Sequence, residues 1–329
     1  MFKQEIRDIN GYHPQKEACA VVLDANESYI NSPYNRYPDP VSTELRGLIG
    51  KKIGVSPEMI IAGNGSSEMI DLIMKCTLST GDSVMTFGPT FSIYELNATI
   101  LGGKTITYPL DASFRLNVEG FISEMIVRQP KLLILCNPNN PTGTVLKREE
   151  IIQIVEATNA ALIVDEAYIE FGGESVVDLV ETYPQLMVLR TLSKAYGLAG
   201  ARVGYMVSCT DNINVINKVR PPYNLSVLAQ AQGIEALQNT KEFESVIKEI
   251  VMERERISER LKAYVAVYPS GGNFLFFQTD FDGLYERLLE LGVRIRKYSG
   301  VLAGYYRVTI GTRNENNQFI DAVEGIYGQ

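Results

Sequence analysis

Lys194 lies in the run Leu186 to Tyr205, LMVLRTLSKAYGLAGARVGY, where an apolar stretch ends in Thr191, Ser193 and the lysine itself. Gly197 and Gly200 permit tight turns, and Arg202 follows eight residues after the lysine. Hydroxyls and a guanidinium beside one lysine can hold a phosphate and leave the amine free to react. A solvated loop lysine is the plainer account of this segment taken alone. Three other segments end similarly. ALIVDEAYIEF closes an apolar run with Asp165 and has Tyr168 three residues on. A carboxylate at the carboxyl end of a buried strand lies where ligands collect in open α/β sheets, although a helix N-cap or a loop acid would read alike. LLILCNPNNPTG offers the Asn139 and Asn140 amides in a turn, which a plain turn would also do. IIAGNGSSEMIDLIM sets Gly63, Gly65, Ser66 and Ser67 before a helical pattern whose first amides favour an anion. It is neither GxGxxG nor a Walker A loop.

The chain has a single histidine, His13. A HExxH site, a histidine-rich zinc centre or a two-histidine facial triad therefore cannot be assembled within it, and a Ser-His-Asp triad would have to pass through His13. With a cradle for an anion, a buried carboxylate, asparagines and a lysine with a partner arginine at four strand ends, this scarcity calls for a cofactor. Pyridoxal phosphate meets the requirements: lysine for the Schiff base, a carboxylate to keep the pyridine nitrogen protonated, and hydroxyls, arginine and helix amides for the phosphate. The gain is an electron sink at the substrate α-carbon, with the released lysine free to move the proton.

These groups need elements to position them. The 329 residues, 45% apolar, suffice for about two domains. Strand-like runs fall at Met59–Ala62, Ser83–Thr86, Lys104–Tyr108, Lys131–Cys136, Ala161–Asp165, Met187–Thr191 and Val203–Val207, most too continuously apolar for a half-exposed sheet. Helical patterns at Ser66–Cys76, Thr90–Leu101, Arg148–Thr158 and Ser226–Leu237 alternate with them, the last with Ser226 as N-cap, so the order is α/β. A charged helix from 241 to 263 carries Phe243, Val246, Ile247, Ile250, Val251, Ile257 and Leu261 on one stripe and can link domains. Strands Gly272–Thr279 and Tyr306–Ile310 with helices Leu284–Leu291 and Glu315–Tyr327 read as a smaller α+β unit. The expected division is an arm at 1–36, a large domain at 37–240, and the linking helix with a small domain at 241–329.

Thirty-one basic against 39 acidic residues give a net charge of -8, which offers no footprint for nucleic acid and no polybasic membrane patch. Small molecules are the expected partners. Cys19, Cys76, Cys136 and Cys209 stand 57 to 73 residues apart, which gives no disulfide framework and suits a reducing cytosol. No apolar run approaches about 18 residues, and the first residues carry interspersed charges. A cytoplasmic protein is expected.

The motifs RYPDP (36–40), GNGSSE (63–68), NPNNPTG (137–143), VDEAYIEF (164–171), RTLSKAYGLAGARVGY (190–205), PYNLS (222–226) and YRVTIGTRNEN (306–316) span nearly the whole chain. In order and separation, including 29 residues from Asp165 to Lys194, it resembles the fold-type-I pyridoxal-phosphate aminotransferases, and among them the histidinol-phosphate aminotransferase family. The resemblance implies a three-layer α/β/α large domain with a mostly parallel mixed sheet and a smaller α+β C-terminal domain. It assigns the Schiff base to Lys194, the pyridine nitrogen to Asp165, the ring oxygen to Tyr168 and Asn140, and ring stacking to Phe91. The phosphate falls to Ser66, Ser67, Thr191, Ser193 and Arg202, with Tyr37 reaching into the neighbouring subunit's site, which implies a homodimer. Arg307 and Arg296 match substrate arginines, and Tyr12 and Asn26 match arm positions near the substrate, although the family's NENP reads NESY here. The implied reaction exchanges an amino group between histidinol phosphate and 2-oxoglutarate, yielding imidazole-acetol phosphate and glutamate in a ping-pong cycle. A broader aromatic or 2-oxo-acid aminotransferase would share every cofactor residue. Threonine-phosphate decarboxylase would share the scaffold, and a non-enzymatic relative would have lost Lys194.

Overall fold

The computed structural model describes residues 1–12 and 19–328; His13 lies outside them. Seven strands form the larger sheet: β1 (Ile60–Asn64), β2 (Ser83–Gly88), β3 (Lys104–Pro109), β4 (Leu132–Cys136), β5 (Ala161–Asp165), β6 (Leu186–Thr191) and β7 (Val203–Val207). Their order is β1-β7-β6-β5-β4-β2-β3, parallel throughout except for β7, which runs against both neighbours. Alternate residues of one strand enter opposite cores: Leu133, Leu135, Leu162 and Val164 join one cluster, and Leu132, Ile134, Ala161 and Ile163 the other. A strand side chain alternates faces, so two covered faces require helices on both sides, which is the three-layer arrangement. The edge strand β3 is the exception. None of its residues is buried, because it pairs on one side only.

The helices Ser66–Thr77, Arg148–Glu156 and Val227–Gln238 lie where the sequence puts them, and Ser226 caps the last by accepting the Ala229 amide at 3.2 Å. The expected helix at 90–101 begins later, at Ile93. The delay leaves Phe91 on a turn, from which it reaches the cavity described below.

Thr240–Leu261 is one helix of 22 residues. Phe243, Ile247, Ile250 and Val251 pack on the large-sheet core, whereas Ile257 and Leu261 belong to the core of a second sheet. Val246, expected on the same stripe, is 44% exposed. That second sheet is antiparallel and four-stranded, β8 (Ala266–Tyr268), β9 (Phe274–Gln278), β10 (Arg296–Lys297) and β11 (Tyr305–Thr309), in the order β10-β11-β9-β8. Helices Leu284–Glu290 and Arg313–Tyr327 complete the α+β unit. Phe114 from the large unit packs edge-on against Tyr268, Phe276 and Tyr305, which fixes one sheet against the other.

The N-terminal segment divides in two. Residues 1–8 are docked: Phe2 is buried, and the Lys3 amide donates to the Cys76 carbonyl at 2.8 Å. From 19 to 41 no residue is buried, and Val21, Leu23, Tyr29 and Ile30 stand open to solvent. Among the described residues, no helix is long and apolar enough to cross a membrane and no cluster of ligating side chains could hold a metal ion.

Candidate active site

Strand direction concentrates chemistry at one sheet edge. β4, β5 and β6 are parallel and end there in Cys136, Asp165 and Thr191. β1 ends at the same edge, because it opposes β7 and β7 opposes β6, and Gly65–Ser66 follow it. β7 starts there, directly after Arg202. The edge opens into a cavity of about 280 Å³, just under the usual range for ligand pockets.

Into this cavity come Ser66, Ser67, Phe91, Asn140, Asp165, Tyr168, Thr191, Ser193, Lys194, Arg202 and Arg307, residues from opposite ends of the sequence. At one part of its wall, Ser66 and Ser67 open the helix Ser66–Thr77, and Arg202 approaches Ser193 Oγ at 3.4 Å. Thr191 donates to the Val203 carbonyl at 3.1 Å and accepts the Ser193 amide at 3.0 Å, so its hydroxyl shapes the loop that presents Ser193. The backbone is built for close approach. Gly65 has φ 73° and ψ 167°, a region essentially confined to glycine, and a Cβ there would strike the Arg202 guanidinium. A Cβ on Gly204 would strike the Gly65–Ser66 backbone. Arg202 itself holds φ 57°, a left-handed conformation unfavourable for a side-chain-bearing residue. Glu68 clamps the turn by accepting the Asn64 amide at 2.6 Å and the Asn224 side chain at 2.8 Å. Hydroxyls, a guanidinium and a helix N-terminus converging on one point make a donor set suited to a phosphate dianion.

Asp165 is 3% exposed. It accepts the Ala167 amide at 3.1 Å and the Tyr94 hydroxyl at 2.7 Å. Burial pushes its carboxyl up to about 6, and the two hydrogen bonds pull against that rise. Lys194 has its ammonium 5.6 Å from the centre of the Tyr168 ring. Burial, then the charges of Arg307 and Arg202, lower its pKa, which raises the share of free amine at neutral pH. Tyr168 packs edge-on against Phe274 at 5.3 Å, and the Arg307 guanidinium stacks over that same phenylalanine at 5.3 Å. Arg307 also donates to Asn140 Oδ1, a contact from the small sheet to the large one. The Asn139 amide is occupied in the turn, with Pro89 at 2.9 Å and Thr142 at 2.8 Å.

The remaining expected residues lie elsewhere. Arg296 pairs with Arg307 across β10 and β11 and lines an adjoining basin of about 780 Å³ on the small unit, with Arg294, Lys297, Tyr298 and Arg307 itself, which lines both cavities. Tyr37 and Asn26 line a cavity of about 430 Å³, where Tyr37 stacks on Tyr223 at 4.4 Å. Tyr12 is 67% exposed. Tyr12, Asn26 and Tyr37 belong to the N-terminal part of the chain, and none of them lines the Lys194 cavity. Sequence reasoning passed over Cys136, Ala167 and Tyr94. Cys136 and Ala167 line the cavity. Tyr94, behind Asp165, carried no local signal in the sequence, because its partner lies 71 positions away.

The model for "Aminotransferase class I and II" matches residues 9–323. A histidinol-phosphate aminotransferase of Clostridium kluyveri is 36% identical over 99% of this chain and 98% of its own, and that of Clostridium novyi is 34% identical over 99% and 97%. The crystal structure of histidinol-phosphate aminotransferase from Sinorhizobium meliloti in complex with pyridoxal-5'-phosphate superposes with a TM-score of 0.83 at 25% identity, covering 88% of this chain and 83% of that one.

Proposed function

The chain belongs to the class I and II aminotransferases, and within them to the histidinol-phosphate aminotransferase family, and from that premise we propose how its residues carry out the exchange of an amino group between L-histidinol phosphate and 2-oxoglutarate. The products are imidazole-acetol phosphate and L-glutamate. The observation that carries this reading is the gathering of Lys194, Asp165 and Arg202 at one sheet edge, with Arg307 brought to them from the other sheet. Pyridoxal phosphate, when bound, supplies the carbonyl for amine exchange and the ring that accepts the α-carbon's electrons.

Ser66, Ser67, Ser193 and Arg202 would hold the cofactor phosphate, and Thr191 shapes the loop that presents Ser193. Asp165 would meet the pyridine nitrogen, Tyr168 and Asn140 the ring oxygen, and Phe91 would stack on the ring. Lys194 Nζ is the nucleophilic amine and, once free, the base that moves the α-proton. Its lowered pKa supports both tasks. Arg307 takes the substrate's acid group, and Arg296 the second anion, helped by Tyr12 and Asn26. The two guanidiniums of Arg202 and Arg307 at the cavity favour anionic groups of cofactor and substrate, although the whole chain carries -8. In the same reading the protein is a homodimer in which Tyr37 of the partner subunit completes the phosphate site. The exposed Val21, Leu23, Tyr29 and Ile30 support it, since a second copy would cover them.

A half-reaction screen tests the proposal. The absorbance of the bound cofactor is followed while histidinol phosphate, glutamate, phenylalanine, tyrosine and threonine phosphate are added separately. Histidinol phosphate and glutamate should each discharge the pyridoxal band, and Lys194→Ala should abolish the response. Equal rates with the aromatic amino acids, or release of carbon dioxide from threonine phosphate, would overturn the assignment.

A further inference from the structure

Tyr94 is the first fully buried residue of the helix Ile93–Ile100, and its hydroxyl meets Asp165 Oδ2 at 2.7 Å. We propose that Tyr94 is a positioning residue for amino transfer: its hydroxyl donates to Asp165 and keeps that carboxylate charged and turned toward the cofactor's pyridine nitrogen. The inference rests on the reading of Asp165 given above.

The surroundings of Asp165 leave this task to Tyr94. The acid is closed off from water, so its charge depends on what the protein supplies. Facing it are Tyr94 from the helix, Cys136 from β4, Glu166 and Tyr168 from its own segment, and Lys194 from the loop after β6. The Cys136 thiol donates to the Pro138 carbonyl at 3.5 Å. Glu166 is acidic and is engaged by Arg190 at 2.9 Å. Lys194 is committed to chemistry. Tyr94 and the Ala167 amide therefore satisfy the two carboxylate oxygens, one each. A buried carboxylate that lost one of these donors would favour its neutral form, and a neutral acid cannot hold a protonated ring nitrogen.

Tyr94 is well placed for a fixed role. It has no exposed surface and packs at right angles to Phe91 at 5.7 Å. The segment GPTFSIY thus brings both the phenylalanine assigned to the ring face, on the turn before the helix, and, three residues later, the hydroxyl behind the acid. Burial, then the neighbouring Asp165 charge, push the phenol well above its usual range, so it remains a donor at every working pH.

Tyr94→Phe removes the hydroxyl and keeps the ring. In apoprotein labelled with carboxyl-13C aspartate, with the Asp165 resonance identified by its loss in Asp165→Asn, the carboxyl should titrate about one pH unit higher in the variant, a tenfold change in its ionisation equilibrium. In the holoenzyme, kcat should fall about tenfold or more, with KM for histidinol phosphate little changed. A stability role alone would move neither the titration nor kcat at a temperature where the variant is folded. If Tyr94→Phe does not fold, site-specific 3-fluorotyrosine at position 94, a stronger donor of nearly the same shape, should shift the titration downward. An unmoved Asp165 titration overturns the proposal, and the role of Asp165 stands if Asp165→Asn still abolishes turnover. Full turnover and an unchanged cofactor spectrum in Asp165→Asn would instead remove the reading on which the proposal rests.

Discussion

Glu170→Gln should stabilise the protein, and by an amount that depends on pH. Glu170 follows β5 by five residues and is partly exposed along its stem, yet Oε2 is sealed from water without a hydrogen-bond partner. Burial raises its carboxyl from 4.5 to about 7, against the pull of Arg190 and Lys52. The folded state therefore keeps its proton between those two values, where the unfolded chain has released it. Stability falls as pH rises through that window and levels off above it. A rise of this size corresponds to about 3 kcal/mol against folding above pH 7. Glutamine keeps the shape and does not titrate, so it should remove that penalty. At roughly 2.1 cal/mol/K per residue the 329 residues give an unfolding entropy near 0.7 kcal/mol/K, and the gain becomes about 4 °C in Tm. Thermal unfolding of the holoenzyme, at fixed protein and cofactor concentration, should show this gain at about pH 8 and under about a third of it at about pH 5. Equal shifts at the two pH values, or a lower Tm for the variant at about pH 8, would refute the reasoning.

Gly65→Ala combines an unfavourable backbone conformation with a collision against Arg202. It should raise the cofactor's Kd by about tenfold or more, measured by equilibrium dialysis, with the fold retained in circular dichroism. Arg307→Lys keeps the charge but loses the planar fork that carboxylates favour, so KM for glutamate should rise by about 10-fold or more in steady-state assays, with the cofactor's affinity little affected. An unchanged KM would detach Arg307 from the substrate's acid group.

What could be read from the chain depended on how local its cause was. Ala161–Asp165 and Val203–Val207 are buried at every position, so their uninterrupted apolar runs marked them and their ends located Asp165 and Arg202. The helix Thr43–Ile53 carries Gly47 and Gly50, which blurred its period. β10 is only two residues long, too short for any pattern, and that concealed the register opposing Arg296 to Arg307. The bond from Tyr94 to Asp165 crosses 71 positions of sequence and exists only because the helix on one side of the sheet reaches the end of a central strand. The exposure of Tyr29 and Ile30 likewise arises from tertiary placement, as apolar residues in that segment could equally have been buried against their own chain.

The helix Thr240–Leu261 has a further consequence. Its 22 residues make a rod of about 33 Å with one end in each core. A tilt of about 5° at the Phe243 end sweeps the far end by about 3 Å, one hydrogen-bond length. The bond from Arg307 to Asn140 is one of several ties between the two units, beside Phe114 on the small sheet, Arg254 on the Phe171 carbonyl and the Gly271 amide on the Gly143 carbonyl, and it is the one a substrate carboxylate that took the arginine would compete for. Occupancy of the acid site would therefore loosen one of the ties that hold the two sheets together and leave the others in place.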